Sequence, residues 1–239
     1  MTPRIRVTGE TGSTNEDMKS LALAGEPEGA WLRAEAQTSG KGRMGRVWQG
    51  EAGNLYASTL VRIAPLDPPA HSLALVMAVA VHEALSDFVG AAVLNLKWPN
   101  DVMARNAKLC GMLLERVGDA IVLGIGVNIV SAPALPDRET ICLRDLGAAS
   151  CDAAHVLERI AEHFANGLGR WRTYGLESVI RAWQARGHPQ GTVLAAELPD
   201  GERISGTFEG LDADGALILC LADGARRVIH AGDVFLLNP

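Results

Sequence analysis

Leu109-Cys110-Gly111-Met112-Leu113-Leu114-Glu115-Arg116-Val117, then Gly118-Asp119, then Ala120-Ile121-Val122-Leu123-Gly124-Ile125-Gly126-Val127-Asn128-Ile129-Val130 is the stretch that decides the fold. Two apolar runs separated by a Gly-Asp pair leave no room for a crossover, so they read as an antiparallel hairpin. Further runs at residues 30–36, 55–61 and 93–97 read as strands of the same sheet. Between Pro68-Pro69 and Gly90, Leu73, Val76, Met77, Ala80 and Leu85 recur at helical spacing. Ser13-Thr14-Asn15-Glu16-Asp17 ahead of Met18, Leu21 and Ala22 reads as a short capped helix stopped at Gly25.

Helical spacing returns from Cys151 to Trp183 through Val156, Ile160, Phe164, Leu168, Trp171, Val179 and Ile180. The expectation is an α+β fold, a mixed or antiparallel sheet backed by helices. Gly187-His188-Pro189-Gln190-Gly191 interrupts the pattern and puts a domain boundary between 187 and 188, giving domains 1–187 and 188–239. Beyond it, short strands alternate with Pro199-Asp200-Gly201, Asp212-Ala213-Asp214-Gly215 and Ala222-Asp223-Gly224, the pattern of a small five-stranded barrel or sandwich.

With 239 residues, 48% of them hydrophobic and 21% charged, the chain is an ordinary globular protein with room for one large domain, or a moderate and a small one. A net charge of −6 argues against a broad nucleic-acid surface; the only basic cluster, Lys41 to Arg46, suits a local anion site. Cys110, Cys142, Cys151 and Cys220 show no C-x-x-C spacing and follow no signal peptide, which predicts reduced thiols and a cytoplasmic location. The longest apolar run, residues 73–81, is too short for a bilayer, so no membrane segment is expected.

The chain has eighteen arginines but four lysines, and three of the four, Lys41, Lys97 and Lys108, fall in two short segments. A chain that elsewhere uses guanidinium reserves its compact ammonium groups for places that suit a point charge. Gly40-Lys41-Gly42-Arg43-Met44-Gly45 spells G-x-G-x-x-G, but the glycine-rich residues after it cannot form the helix of a dinucleotide site. It fails as a phosphate-binding P-loop too, because no Ser or Thr follows Lys41. What remains is a flexible basic loop whose amides and cations, Lys41, Arg43 and Arg46, suit a reactive anion. Lys97-Trp98-Pro99-Asn100-Asp101 with Lys108 places two ammonium groups and one acid within reach of one site, an arrangement suited to phosphate chemistry on a carboxylic acid.

Five stretches together resemble the biotin protein ligase family: Gly12-Ser13-Thr14-Asn15, residues 34–48, Lys97-Trp98-Pro99-Asn100-Asp101, Lys108-Leu109-Cys110-Gly111-Met112-Leu113-Leu114-Glu115 and Gly124-Ile125-Gly126-Val127-Asn128. The resemblance implies a class II synthetase-like catalytic domain with an SH3-like C-terminal β-barrel. It implies that biotin and MgATP give biotinyl-5′-AMP, which then passes to a lysine of a biotin carboxyl carrier protein. By the same likeness Ser13, Thr14, Asn15, Gln37, Lys41, Gly42, Arg43, Lys108 and Gly111 contact biotin. Arg43, Arg46, Trp48, Lys97, Asn100 and Asn128 contact ATP. Helix capping stays open as a role for Ser13 and Thr14, and core packing for Trp48.

Lys108, Lys97, Asp101 and Arg43 are the candidate catalytic residues, with Asp101 either orienting and deprotonating the amine or holding Mg²⁺. Departures from the family pattern stand at Gly12, where Asp is common, at Lys41, where Arg is common, and at Thr140-Ile141-Cys142-Leu143 in place of Ala-Thr-Ser-Leu. The sequence starts almost at the first motif, so no DNA-binding domain and no nucleic-acid partner are expected; a homodimer is admitted. Lipoate or octanoate ligases of similar fold, and a noncatalytic biotin sensor, are the alternative readings.

Overall fold

The computed structural model describes residues 3–136 and 138–237. Its first sheet has seven strands: β1 (Arg4–Thr11), β2 (Ala30–Gln37), β3 (Leu55–Arg62), β4 (Leu94–Lys97), β5 (Asp101–Ala104), β6 (Ala107–Val117) and β7 (Ala120–Val127). They are ordered β1-β2-β3-β7-β6-β5-β4. The β6–β7 hairpin is antiparallel, Val117 opposite Ala120, as the Gly118-Asp119 connection requires. Only β1 runs parallel to its neighbour β2, with helix α1 (Thr14–Leu23) as the crossover, so the sheet is mixed.

Alternation along the strands explains how both faces are buried. Leu32, Leu60 and Val122 pack with Met18 and Ala22 of α1, while their neighbours Trp31, Val61, Ile121 and Leu123 join the larger core. That core is built on α2 (Leu73–Val89), α3 (Ala153–Tyr174) and α4 (Leu176–Gln184). A strand covered on both faces reads as a continuous apolar run, and every residue of β7 is buried. The helix over residues 70–89 is long and apolar enough to cross a bilayer, longer than the run weighed from sequence, yet it lies mostly inside the core. The helical stretch ending at Trp183 is two helices, because Gly175 adopts φ 73°, ψ −171°.

The C-terminal unit holds five strands: β8 (Val193–Glu197), β9 (Arg203–Leu211), β10 (Leu217–Cys220), β11 (Arg226–Ile229) and β12 (Asp233–Leu236). They pair antiparallel in the order β11-β10-β9-β8-β12, and among the described residues no ladder joins β11 to β12. The three turns read from sequence share one device: Asp200, Asp212 and Asp223 each accept from the backbone N–H two residues on. The two sheets share one hydrophobic core, Trp183 meeting Phe208 edge-on with ring centroids 6.4 Å apart. Trp98 Nε1 donates to the Gly215 carbonyl at 3.1 Å, and Leu96 N–H donates to Arg186 O at 2.8 Å, tying the residues around Pro99 to both units.

His188 lies buried at this junction, and no partner meets its Nε2. Burial, followed by the charge of Lys97, pushes its pKa down to about 4. The folded state therefore refuses a proton that the unfolded chain accepts below about pH 6.5. Stability is predicted to fall as pH drops from about 6.5 towards 4, by on the order of 3 kcal/mol for this group. Urea titrations across that range should show a shallower decline for His188→Asn than for the parent; parallel curves would exclude His188 as the cause.

Candidate functional site

Three glycines on the hairpin make the floor of the site. A Cβ on Gly126 would run into the Trp48 indole, one on Gly124 into the Asn15 amide, and one on Gly111 would lie 2.7 Å from Trp48 Cζ3 and 3.0 Å from Lys108 Nζ. Bare backbone on β6 and β7 thus lets Asn15, Trp48 and Lys108 close on one cavity of about 260 Å³. Every site residue read from the sequence lines it: Ser13, Thr14, Asn15, Gln37, Lys41, Gly42, Arg43, Arg46, Trp48, Lys97, Asn100, Asp101, Lys108, Gly111 and Asn128.

One end of the cavity is neutral and hydrogen-bonding. Ser13, Thr14 and Asn15 are buried at the N-terminus of α1. Ser13 holds the N-cap position without a side-chain cap bond, so capping does not account for its hydroxyl. Gln37 Oε1 accepts from Thr14 N–H at 2.8 Å and from its Oγ1 at 3.1 Å. Ser58 Oγ lies 2.7 Å from Asn15 Oδ1, and Asn15 Nδ2 donates to Glu115 at 2.8 Å, which sets which way the amide faces. Such an end suits a polar, uncharged heterocycle.

The loop over residues 40–48 is more ordered than its glycines suggest. Lys41 and Val47 form an antiparallel bridge, Gly42 N–H donates to Arg46 O at 2.7 Å, and Met44 takes the left-handed conformation at φ 54°. Two sets of ionic contacts hold it. Lys41 pairs with Glu16 of α1, whose carboxyl is kept below its ordinary range by hydrogen bonds from Lys19 and Lys41. On the other side Arg46 grips Asp233 at 2.8 and 3.0 Å. Arg43 donates to Gly232 O at 3.1 Å and lies 3.5 Å from Asp233, and burial lowers its pKa. Trp48 is half-buried, a cavity wall and not a core residue, with Lys108 Nζ 5.4 Å from its ring centroid.

The charged end gathers Lys97, Asp101 and Lys108. Lys108 Nζ is 2.7 Å from Asp101 Oδ1, an ion contact outside hydrogen-bond alignment, since that buried oxygen takes no hydrogen bond. Burial lowers the pKa of Lys97, with Arg138 and Lys108 adding to the effect against Asp101 and Asp233. Asn100 and Asn128 face the cavity, but their amide nitrogens are engaged: Asn100 donates to Met112 O, and Asn128 to Ile141 O at 3.2 Å. Cys142, at one of the departures from the family pattern, is buried with Sγ 3.0 Å from Asp145.

Sequence reasoning missed Ser58, Asp233 and Phe235. Ser58 sits beside Thr59 in a mainly apolar strand, with nothing to mark its hydroxyl from the sequence, and the other two lie beyond the expected boundary, where only the third dimension brings β12 to the loop. For Mg²⁺, no group of three or more His, Cys, Asp or Glu side chains exists among the described residues. Asp101 and Asp233 are the carboxylates lining the cavity. That donor set fits an ion held chiefly by phosphate oxygens and water with Asp101 as one ligand, not a protein cage.

Residues 8–129 match the Biotin/lipoate A/B protein ligase family, and residues 195–237 match the biotin protein ligase C-terminal domain. The chain is 35% identical to a biotin--[acetyl-CoA-carboxylase] ligase of Mycobacterium tuberculosis over 98% of its length and 90% of that protein's. It is 36% identical to one of Paracoccus denitrificans, over 94% of this chain and 97% of that protein. Its fold superposes on the biotin protein ligase of Aquifex aeolicus, solved in complex with biotin and ATP, with a TM-score of 0.85, 25% identity and 99% of each chain covered. With this likeness along both units and the motif residues gathered in one cavity, the chain belongs to the biotin protein ligase family.

Proposed function

We propose that this chain joins biotin to one lysine of a biotin carboxyl carrier protein by way of biotinyl-5′-AMP. The observation that carries the reading is the convergence of Lys97, Asp101 and Lys108 at one end of a cavity whose other end is the neutral Ser13-Thr14-Asn15-Gln37 pocket. Biotin's ureido ring occupies the neutral end, and its carboxylate reaches Lys108. A carboxylate oxygen attacks the α-phosphorus of ATP and pyrophosphate leaves. Lys108 and Lys97 offset the repulsion between the two anions, and Trp48 and Arg43 cover the adenylate and exclude water. Mg²⁺ bound to the phosphates, with Asp101 within its reach, would supply further charge neutralisation.

In the second step the carrier's amine attacks the anhydride carbonyl, AMP leaves, and an amide remains. Asp101 orients that amine and takes its proton, its own contact with Lys108 holding the carboxylate in place. Residues 1–187 carry this chemistry, and residues 188–239 close the open side. Alongside it we propose a cytoplasmic enzyme without nucleic-acid or membrane partners, acting as a monomer or homodimer; light scattering of the purified chain decides the last point.

Lys108→Ala is expected to lower the rate of ATP-dependent pyrophosphate release about 10²- to 10³-fold without unfolding the protein. A rate within a few-fold of wild type would remove Lys108 from the mechanism. Because burial lowers the Lys97 pKa, its charge is lost on the alkaline side at a pH below the ordinary lysine value of about 10.4. Adenylate formation should therefore decline as pH rises through that lowered pKa, and Lys97→Arg should move the decline upward; an unmoved alkaline limb excludes Lys97 as its source. Arg43→Gly is expected to form the adenylate but release it about tenfold faster, labelling bystander proteins with biotin. Negligible labelling by the variant, with normal retention, would show that Arg43 does not hold the phosphate.

A further inference from the structure

The basic loop lies between two anchors, and the stronger one comes from the other end of the chain. Asp233 opens β12, 187 residues after Arg46, and lines the same cavity as Lys108. Both its oxygens meet the Arg46 guanidinium, at 2.8 and 3.0 Å, the fork-on-carboxylate geometry that fixes orientation as well as distance. Arg43, three residues before Arg46, is 3.5 Å from Asp233 and donates to the carbonyl of the preceding residue, Gly232. Arg46 Nε donates back to Arg43 O at 3.2 Å, so the two arginines and the carboxylate form one closed unit.

The division of labour within this unit is uneven. Arg46 takes the better contacts with Asp233, and Arg43 has only the longer one. A guanidinium carries five donors, so Arg43 keeps donors for an incoming oxyanion while its position is set. Gly232, at φ 156°, packs so closely on the Glu197 carbonyl that an added Cβ would sit 2.7 Å from it. The strand start is thereby seated on β8, and Asp233 is carried on a rigid element. The pair is partly buried, Asp233 at 22% and Arg46 at 40% side-chain exposure, so screening by salt weakens it without abolishing it.

We infer that Asp233 is a positioning residue for the adenylate: it fixes the loop through Arg46 so that Arg43 stays aimed at the phosphate between the two half-reactions. The C-terminal sheet is then part of the retention apparatus and not only a cover. This inference rests on the proposed ligase reaction.

The test is the release of preformed, labelled biotinyl-5′-AMP from wild type, Asp233→Ala, Asp233→Glu, Arg46→Ala and the double variant, each with pyrophosphate release as a control. Wild type must form and hold adenylate for the ligase reading itself to stand. Given that, Asp233→Ala should release it about tenfold faster with pyrophosphate formation within a few-fold of wild type. Asp233→Glu should regain most of the retention, and adding Asp233→Ala to Arg46→Ala should change little, because the two act as one unit. Retention unchanged in Asp233→Ala, or additive effects in the double variant, would overturn the inference, as would an equal loss of adenylate formation and retention with a lowered Tm.

Discussion

The site depends on a subtraction. Where Gly111, Gly124 and Gly126 stand on neighbouring strands, the sheet presents backbone alone, and the side chains of Asn15, Trp48 and Lys108 occupy the room that Cβ atoms would fill. Everything else is arranged around that flat floor. The hairpin about Gly118-Asp119 sets the register that brings Gly111 opposite Gly126, and α1 delivers Asn15 to the first strand's end. Glycine in a strand weakens it, and the cost is met here by strands buried on both faces.

Charge is then graded along the floor. Neutral amides and hydroxyls hold one another at the α1 end, through Gln37, Thr14, Ser58 and Asn15, with the Asn15 amide anchored behind them on the Glu115 carboxylate. Ammonium groups stand at the other end, one against Asp101 and one beside the Phe235 ring, 5.6 Å from its centroid. A molecule with a neutral head and an anionic tail is best matched with its tail at the end where Lys97 and Lys108 stand and its head among the amides and hydroxyls. Selectivity for the ends of the substrate and activation of its carboxylate thus come from one gradient.

What was legible in the sequence was whatever short-range patterns determine. The Gly118-Asp119 hairpin, the α2 periodicity and the Asp-Gly turns of the C-terminal sheet involve residues adjacent in the chain. β1 was not legible: it is largely exposed at the sheet edge, and its apolar alternation is a single pair, Ile5 and Val7. β5 was too short, four residues after a proline turn. The loop's order escaped as well, because glycine-rich composition signals freedom, while the contacts that restrain it come from Glu16 and Asp233, distant in sequence. Asp233 had no signature at all: one acid beside a glycine is a common turn, and its meaning lies in the arginines it meets.

Trp98 and Leu96 are pinned by hydrogen bonds to the Gly215 and Arg186 carbonyls, inside a core that both sheets share. Dissection of the chain at residues 187–191 would consequently not yield two modules but two adhesive fragments, one baring Trp98 and Trp183, the other Phe208 and Leu211. Tags and grafted peptides belong instead at the exposed Asp200-Gly201 and Asp223-Gly224 turns, where the backbone already reverses in solvent and nothing behind it has to move.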